Sequence, residues 1–334
     1  MVKKDFPISS KGNQTKVKAV IVAGFGGSGS SAVVDLLKEM DTFELINTEL
    51  RIISDPDGLI CLEDALVHNW TPYKADIAIK RFNKLIYNLN SKYRVPYLGV
   101  NHKNVFKGEF LSISKKYIEE LLSFEYKGYW FGIQDFNYFF GVVIKKFLKI
   151  DRMKLKPIYV SFPQEEFINI TRKYLENLMA LIQTEKNNFI VDEGYLSLNA
   201  IRGLNYFNNG KMIIIDRDPR DIYLNAIKYR YIFVPGDVQK YIKWYEYLHI
   251  QSNKCGNDPD RILRIHFEDL IYNYSRTVSR ILNFLNIEEK NHTYKLKYFN
   301  PEISKQNVKL WERSDNNKSE INKIYNELKP YCYI

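Results

Sequence analysis

Long apolar runs, cysteine and clusters of one charge are all scarce in this chain of 334 residues. The longest uncharged stretch, residues 19–34, contains four glycines and three serines, so it does not resemble a membrane-spanning helix. The three cysteines, Cys61, Cys255 and Cys332, lie far apart, which argues against a disulfide scaffold and a zinc ribbon. Residues 1–16 have no apolar segment of a signal peptide and are predicted to be a loose leader, and we expect a cytoplasmic protein.

The net charge of +10 is spread along the chain rather than gathered in a tail. A positive balance suits nucleic acid, an anionic membrane or a small anionic ligand. No nucleic-acid-binding motif accompanies the charge, so the sequence argues against nucleic acid. No pattern of histidine, cysteine or carboxylate residues indicates a metal site, and no metal is expected.

Short apolar segments alternate with helical periodicities along the chain. The predicted strands are residues 18–23, 43–46, 189–192, 212–216 and 262–266; the predicted helices include 30–40, 167–181, 220–231 and 277–285. This alternation predicts an α/β fold with a central parallel sheet flanked by helices. We expect a single domain over residues 17–334, with a mainly helical insertion at about 60–185.

Residues 138–156 of that insertion read as a basic amphipathic helix. Such a helix can lie on a membrane surface, or it can pack its aromatic face on the core. The second interpretation is favoured, and contact with a membrane surface stays open.

A glycine-rich turn follows the first predicted strand and precedes the first predicted helix. Backbone amides at a helix start have no partner within the helix, and glycine allows close approach to a phosphate. The candidate anion-binding residues are Gly26, Gly27, Ser28, Gly29, Ser30 and Ser31.

Three ligand classes fit this turn. The spacing of Gly24, Gly26 and Gly29 matches the dinucleotide fingerprint, which needs an acidic residue such as Glu44 or Glu49 further on. The nucleoside triphosphate motif also fits, except that Ser30 stands where its lysine belongs. A nucleotide with a 5′-phosphosulfate is the third class.

Arg217 directly follows the predicted strand 212–216, where ligand-facing residues lie in open α/β sheets. A guanidinium can hold a phosphate with two parallel hydrogen bonds. The competing interpretation pairs Arg217 or Arg220 with a neighbouring aspartate at a helix start. Asp218 is expected to cap that helix, with Pro219 in its first turn.

Several segments, in this order, resemble the sulfotransferases that use 3′-phosphoadenosine 5′-phosphosulfate (PAPS). Residues 24–31 are similar to their 5′-phosphosulfate loop, and residues 215–225 to their 3′-phosphate segment. Residues 263–270 resemble the family's R-Y-E-D-L segment, and residues 304–311 a degenerate C-terminal cofactor loop. The resemblance implies a fold like that of the P-loop nucleotide hydrolases, with PAPS as co-substrate and no metal.

By this resemblance, Arg217 and Asn225 hold the 3′-phosphate, while Lys305 and Asn307 belong to the C-terminal loop. Asn225 replaces the family's serine and can still donate a hydrogen bond. Gly27 replaces an arginine or lysine, which removes a charge from the leaving phosphate. Unless Arg51, Lys305 or another cation compensates, this departure argues against efficient turnover, and a non-catalytic relative stays open as an alternative.

Glu49 and Arg51 lie where the tyrosine-modifying branch and some carbohydrate enzymes have Glu-x-Arg. The resemblance makes Glu49 the general base and Arg51 a contact to the acceptor or the sulfonate. Placed at the end of the second strand, both would point to one side of the chain; a surface ion pair is the alternative. His102 is the second candidate base, and His266 is expected in the core.

Asp192 and Glu193 follow the strand 189–192 and are expected to cap the next helix, although they could reach an acceptor. The resulting hypothesis is transfer of a sulfonate from PAPS to a hydroxyl of an oligosaccharide or polysaccharide. The alternatives are a non-catalytic nucleotide-binding relative and a Rossmann NAD(P)-dependent enzyme.

Overall fold

The strand that precedes the glycine turn lies in the middle of a five-stranded parallel sheet. The computed structural model describes residues 18–91, 101–128, 130, 155–162, 165–182, 185–186, 188–231, 233–255 and 258–334. Its strands are β1 (Lys18–Gly24), β2 (Phe43–Leu45), β3 (Phe124–Gly128), β4 (Lys156–Val160), β5 (Asn188–Asp192), β6 (Gly210–Asp216) and β7 (Ile262–His266).

Helices connect these strands. They are α1 (Ser30–Lys38), α2 (Leu59–Glu63), α3 (Pro72–Leu89), α4 (His102–Val105), α5 (Phe110–Leu121), α6 (Phe167–Met179), α7 (Ala200–Asn205), α8 (Pro219–Tyr229), α9 (Val238–Lys254), α10 (Phe267–Tyr272), α11 (Tyr274–Leu285), α12 (Pro301–Ser304) and α13 (Lys318–Leu328). Among the described residues, no helix is long and apolar enough to cross a membrane.

The strand order of the main sheet is β2-β5-β1-β6-β7, with every neighbouring pair parallel. This confirms the predicted α/β class. In register, Ile21 of β1 lies between Val191 of β5 and Met212 of β6. A central strand covered on both faces must be apolar throughout, which explains the run at residues 19–23.

Successive residues of β1 enter cores on opposite faces of the sheet, as strand geometry requires. Ile21 packs with residues of α3, α5 and α6. Val20 and Val22 pack instead with residues of α1 and α11. The side chains predicted to face inward from 277–285, namely Val278, Ile281, Leu282 and Leu285, are buried in this second core.

The segment 60–185 is mainly helical over its described residues, since it holds most of α2 and all of α3 to α6. It also contains an antiparallel pair, β3 and β4, which was not predicted. Residues of β3 are mostly exposed, so no alternation of apolar residues marks it. The predicted leader and residues 138–154 of the predicted amphipathic helix lie outside the described residues.

Candidate functional site

The glycine turn leads from the end of β1 to the first residue of α1. Gly27 and Gly29 have φ angles of 84° and 98°, in the left-handed region that favours glycine. A Cβ on Gly29 would also lie 2.6 Å from the Phe267 ring. Gly29 occupies the N-cap of α1 without a side-chain cap, so the first amides of α1 are not bonded by a capping side chain.

Not every residue of the turn faces the same space. Ser28 is 2% exposed, and its amide donates to the Phe25 carbonyl at 2.9 Å. Its side chain lines neither of the two clefts described below, whereas Gly27, Ser30 and Ser31 line both of them.

Arg217 is buried at the end of β6 and reaches back to the turn. Its Nη1 donates to the Gly27 carbonyl at 2.9 Å, and its Nη2 donates to the Asn307 carbonyl. With the Asn225 amide oxygen turned toward it, both terminal nitrogens of Arg217 lie 3.0 Å from that oxygen. Its Nε has no acceptor among the described residues, so the guanidinium retains a hydrogen-bond donor.

The neighbouring aspartates bind other cations. Asp216 accepts from Arg264 at 3.0 Å, and Asp218 forms an ion pair with Arg220 at 2.6 Å. The pairing alternative is therefore right for Arg220 and wrong for Arg217. Asp218 also accepts from the Arg220 amide at 2.9 Å, which confirms the predicted cap of α8.

The segment at residues 304–311 lies against the start of α8. Asp221 Oδ1 accepts from the Leu310 amide at 2.7 Å, and burial raises the pKa of Asp221 to about 6. The guanidinium of Arg220 lies 3.9 Å from the centre of the Trp311 ring. The segments 215–225 and 304–311, which were both predicted to bind the nucleotide, therefore contact each other beyond the end of β6.

We call the space between the turn and Arg217 the arginine cleft; it has a volume of about 620 Å³. Its walls are the turn residues Gly27, Gly29, Ser30 and Ser31, together with Ala32 and Asp35 of α1, Arg217, Asn225, Asn307, four aromatic residues from 229 to 267, residues 296–300 and residues 303–304. The two predicted anion-binding positions therefore line one continuous cleft.

A lysine that sequence reasoning missed lines this cleft. Lys297 stands beside the rings of Tyr294 and Tyr298, at 4.7 and 5.1 Å from their centres. Lys305, which was predicted to bind the cofactor, does not line the cleft; its largely exposed ammonium lies 3.8 Å from Glu302. No motif marks Lys297, because its position depends on the path of the loop between α11 and α12.

The second space, which we call the acidic cleft, opens on the other side of the turn and has a volume of about 550 Å³. It shares Phe233 and part of the turn with the arginine cleft. Its charged lining residues are Glu49, Arg51, Asp55, Asp192 and Glu193.

Glu49 and Arg51 face the acidic cleft from a turn rather than from a strand end. β2 stops at Leu45, four residues before Glu49, so the placement of the two residues at the end of the second strand is wrong. The buried Leu50 donates its amide to the Asp192 carbonyl at 3.3 Å, which anchors the turn. Arg51 forms an ion pair with Asp55 at 3.0 Å.

The prediction that Asp192 and Glu193 cap the next helix is wrong. The short 3₁₀ turn Gly194–Asn199 begins without a side-chain cap. Glu193 is 3% exposed; the Ser54 hydroxyl donates to its Oε1, and its Oε2 has no partner among the described residues. Both carboxyl groups line the acidic cleft because β5 ends beside β1.

Burial shifts the pKa values of the Asp192 and Glu193 carboxyl groups. Burial, together with the nearby Glu49, raises the pKa of Asp192 to about 6. Burial raises the pKa of Glu193 well above its ordinary value. Within the described ranges, no group of three or more such residues is arranged to hold a metal ion.

The two histidines considered from the sequence line neither cleft. His102 is fully buried beside Phe106 and Phe110, and burial lowers its pKa to about 3. It therefore does not fit the role of base. His266 lies at the end of β7, with its ring 5.7 Å from that of Tyr333.

Comparison with known proteins supports the resemblance. The chain is 29% identical over 97 residues to the "Putative protein-tyrosine sulfotransferase" of Caenorhabditis elegans. The matched region covers 28% of this chain and 36% of that protein, so it spans about a third of the relative's length. The predicted resemblance to sulfotransferases is confirmed by this match. No protein-family model matches the chain.

Three solved structures that align with the chain are named as sulfotransferases or sulfotransferase domains, all at low similarity. One, from the curacin biosynthetic pathway, has 14% identity and a TM-score of 0.41, covering 94% of this chain and 97% of that domain. Another, from the Synechococcus PCC 7002 olefin synthase, has 14% identity and a TM-score of 0.38, covering 95% and 86%. Sulfotransferase STF9 from Mycobacterium avium has 10% identity and a TM-score of 0.39, covering 93% and 76%.

Proposed function

We propose that this chain is a sulfotransferase that transfers a sulfonate group from PAPS to a hydroxyl of an oligosaccharide or polysaccharide. One observation carries the proposal: the glycine turn and the Arg217–Asn225 pair line one cleft, and Glu49 faces the same turn from the other side. A transferase needs this arrangement, because donor and acceptor must meet at one reacting atom.

The residues of the arginine cleft suit a nucleotide with phosphates at both ends. Arg217 and the neighbouring Asn225 both line the cleft, and a guanidinium beside an amide suits the 3′-phosphate. The amides at the start of α1 and the hydroxyls of Ser30 and Ser31 suit the 5′-phosphosulfate. The exposed rings of Tyr229 and Phe233 offer apolar surface in the same cleft, which suits the adenosine.

Transfer requires one bond to form and one to break. The acceptor hydroxyl gives its proton to the Glu49 carboxylate as its oxygen bonds to sulfur. The bond between sulfur and the bridging oxygen of the 5′-phosphate breaks, and adenosine 3′,5′-bisphosphate leaves with that electron pair. Arg51, which faces the same cleft, stabilises negative charge on the sulfonate oxygens.

Gly27 favours a second candidate, a non-catalytic nucleotide-binding relative. The cations that line the arginine cleft among the described residues are Arg217 and Lys297, and neither belongs to the turn. In an enzyme, the backbone amides of the turn must then stabilise the leaving phosphate in place of a turn cation. Binding without transfer would distinguish this candidate from the enzyme.

The strand order does not fit the third alternative. In the dinucleotide-binding fold, strand two lies beside strand one and presents its acidic residue to the ribose. Here β5 lies between β1 and β2, and Glu44 in β2 pairs with Lys186 at 3.7 Å. An NAD(P)-dependent enzyme therefore has no support from the sheet.

Calorimetry with adenosine 3′,5′-bisphosphate and AMP tests the donor site. We expect the bisphosphate to bind more tightly than AMP, and Arg217→Ala to weaken bisphosphate binding by well over about tenfold, as expected for a lost charge-assisted contact. The exposed Arg81 provides the matched control, Arg81→Ala, which should bind normally. Equal affinity for both nucleotides would refute the 3′-phosphate assignment. Transfer of labelled sulfate to a glycan panel then separates an enzyme from a non-catalytic relative.

A further inference from the structure

The acidic cleft is unusual for a space that would face a sulfonate. Four carboxyl groups line it, from Glu49, Asp55, Asp192 and Glu193. Arg51 is the cation among its described lining residues, and Arg51 already pairs with Asp55. The four carboxyl groups therefore outnumber the one described cation of the lining, and the ion pair of that cation is with Asp55 rather than with Asp192 or Glu193.

A buried carboxyl group without a full set of partners is costly, and a ligand can supply what the protein does not. Glu193 is almost completely buried, and its Oε2 has no partner among the described residues although the residue lines the cleft. Burial raises the pKa of both Glu193 and Asp192, and nearby carboxylates such as Glu49 add a smaller rise.

Two aromatic side chains complete the wall. Tyr195 and Phe233 are 41% and 49% exposed, and both line the acidic cleft. Exposed rings beside carboxylates form a surface that suits an ammonium group and the apolar face of a sugar.

We propose that the acceptor is a hydroxyl compound that also carries a protonated amine, with the ammonium bound by Asp192 and Glu193 while the hydroxyl faces Glu49. This inference rests on the proposed function and narrows its acceptor class. It also gives the carboxyl groups at the end of β5 a role in specificity, distinct from that of the base.

A series of acceptors that differ only in charge tests the proposal. The probes are 2-aminoethyl β-cellotrioside, its N-acetylated form and carboxymethyl β-cellotrioside, which present the same sugar hydroxyls with a positive, neutral or negative substituent. Calorimetry at pH 7.5 with saturating adenosine 3′,5′-bisphosphate should show the cationic glycoside binding at least about tenfold more tightly than the neutral one. The anionic glycoside should bind most weakly, and added salt should reduce these differences.

Variants assign the preference to the cleft. Asp192→Asn with Glu193→Gln should bring the affinities for the cationic and neutral glycosides within about threefold of each other. Glu288→Gln, which removes an exposed carboxylate elsewhere, should leave the preference intact. Circular dichroism and bisphosphate affinity should be unchanged in the double variant; if it fails to fold, the two single variants replace it.

The outcomes separate this inference from the proposed function. Equal affinity for the three glycosides, or undetectable binding of all of them, overturns the inference. A preference for the anionic glycoside also overturns it and favours an acidic acceptor such as a peptide. If the bisphosphate does not bind the wild-type chain, the proposed function fails, while the charge series repeated without nucleotide still decides the preference of the acidic cleft.

Discussion

The two clefts that meet at the glycine turn differ in charge and in construction. The arginine cleft takes its polar groups largely from the backbone of the turn and from Arg217 at the end of β6. The acidic cleft takes its carboxyl groups from a turn after β2 and from the end of β5. One short turn thus separates a region that suits an anion from a region that suits a cation or a polyol, as expected of a protein that brings together two different substrates.

Removal of the Glu49 carboxylate should give the largest effect and the clearest division between the clefts. Glu49→Gln should lower kcat by about 10²–10⁴-fold, the range for loss of a general base, with bisphosphate affinity within about twofold of the wild type. Single-turnover transfer and calorimetry measure the two quantities. Glu44→Gln in β2 is the matched control and should retain full transfer. Loss of nucleotide binding in Glu49→Gln would show that the clefts do not act separately.

The raised pKa of Asp192 should make the stability of the folded chain depend on pH, an effect smaller than the loss of transfer in Glu49→Gln. Its folded pKa of about 6 lies above the ordinary value of 3.8, so the folded chain binds more protons than the unfolded chain between these values. The wild type therefore loses stability as the pH rises through this window. The free energy of unfolding of Asp192→Asn, relative to that of the wild type, should therefore rise by about 2 kcal/mol from pH 4 to pH 7.

Urea unfolding at the two pH values measures this difference. Because Glu49 helps to raise the pKa of Asp192, Asp192→Asn in a Glu49→Gln background should show a smaller rise in relative stability over the same pH range. A difference that does not change with pH would mean that Asp192 titrates normally in the folded chain.

Substitution of Lys297 and of Lys305 should give the smallest effects and should show which of the two lysines belongs to the arginine cleft. Lys297→Ala should weaken bisphosphate binding by about three- to fivefold, because Lys297 lines the arginine cleft as a partly solvated charge. Lys305→Ala should change it by less than about twofold, because its ammonium faces Glu302 outside the cleft. Titrations at low salt would show the difference best, and a larger effect at Lys305 would reverse the assignment.

The parts of the fold and site that the sequence could predict depend on local patterns. The apolar run, the glycines and the helical periodicity follow one another directly along the chain. A local pattern is therefore enough to predict β1, the turn and α1 close to their observed bounds. The cap by Asp218 is equally local. Glu49 and Arg51 were proposed by resemblance, although they lie in a turn beyond β2 rather than at the end of that strand.

The parts that could not be predicted depend on packing and strand order that the sequence patterns do not encode. Asp192 and Glu193 face the acidic cleft because β5 lies between β1 and β2, a neighbourhood that no local pattern encodes. His102 is excluded as a base by packing against Phe106 and Phe110, which its own loop does not reveal. Lys297 and Lys305 are only eight residues apart, and the fold directs only the first of them into a cleft.

The guanidinium of Arg217 bonds at once to the Gly27 carbonyl and the Asn307 carbonyl, so protein atoms alone set the spacing of two walls that are far apart in sequence. The conformational entropy of bringing these walls together is then lost during folding rather than during nucleotide capture. A preorganised cleft of this kind can hold its ligand with few contacts, which offsets part of the loss of a cationic side chain at Gly27.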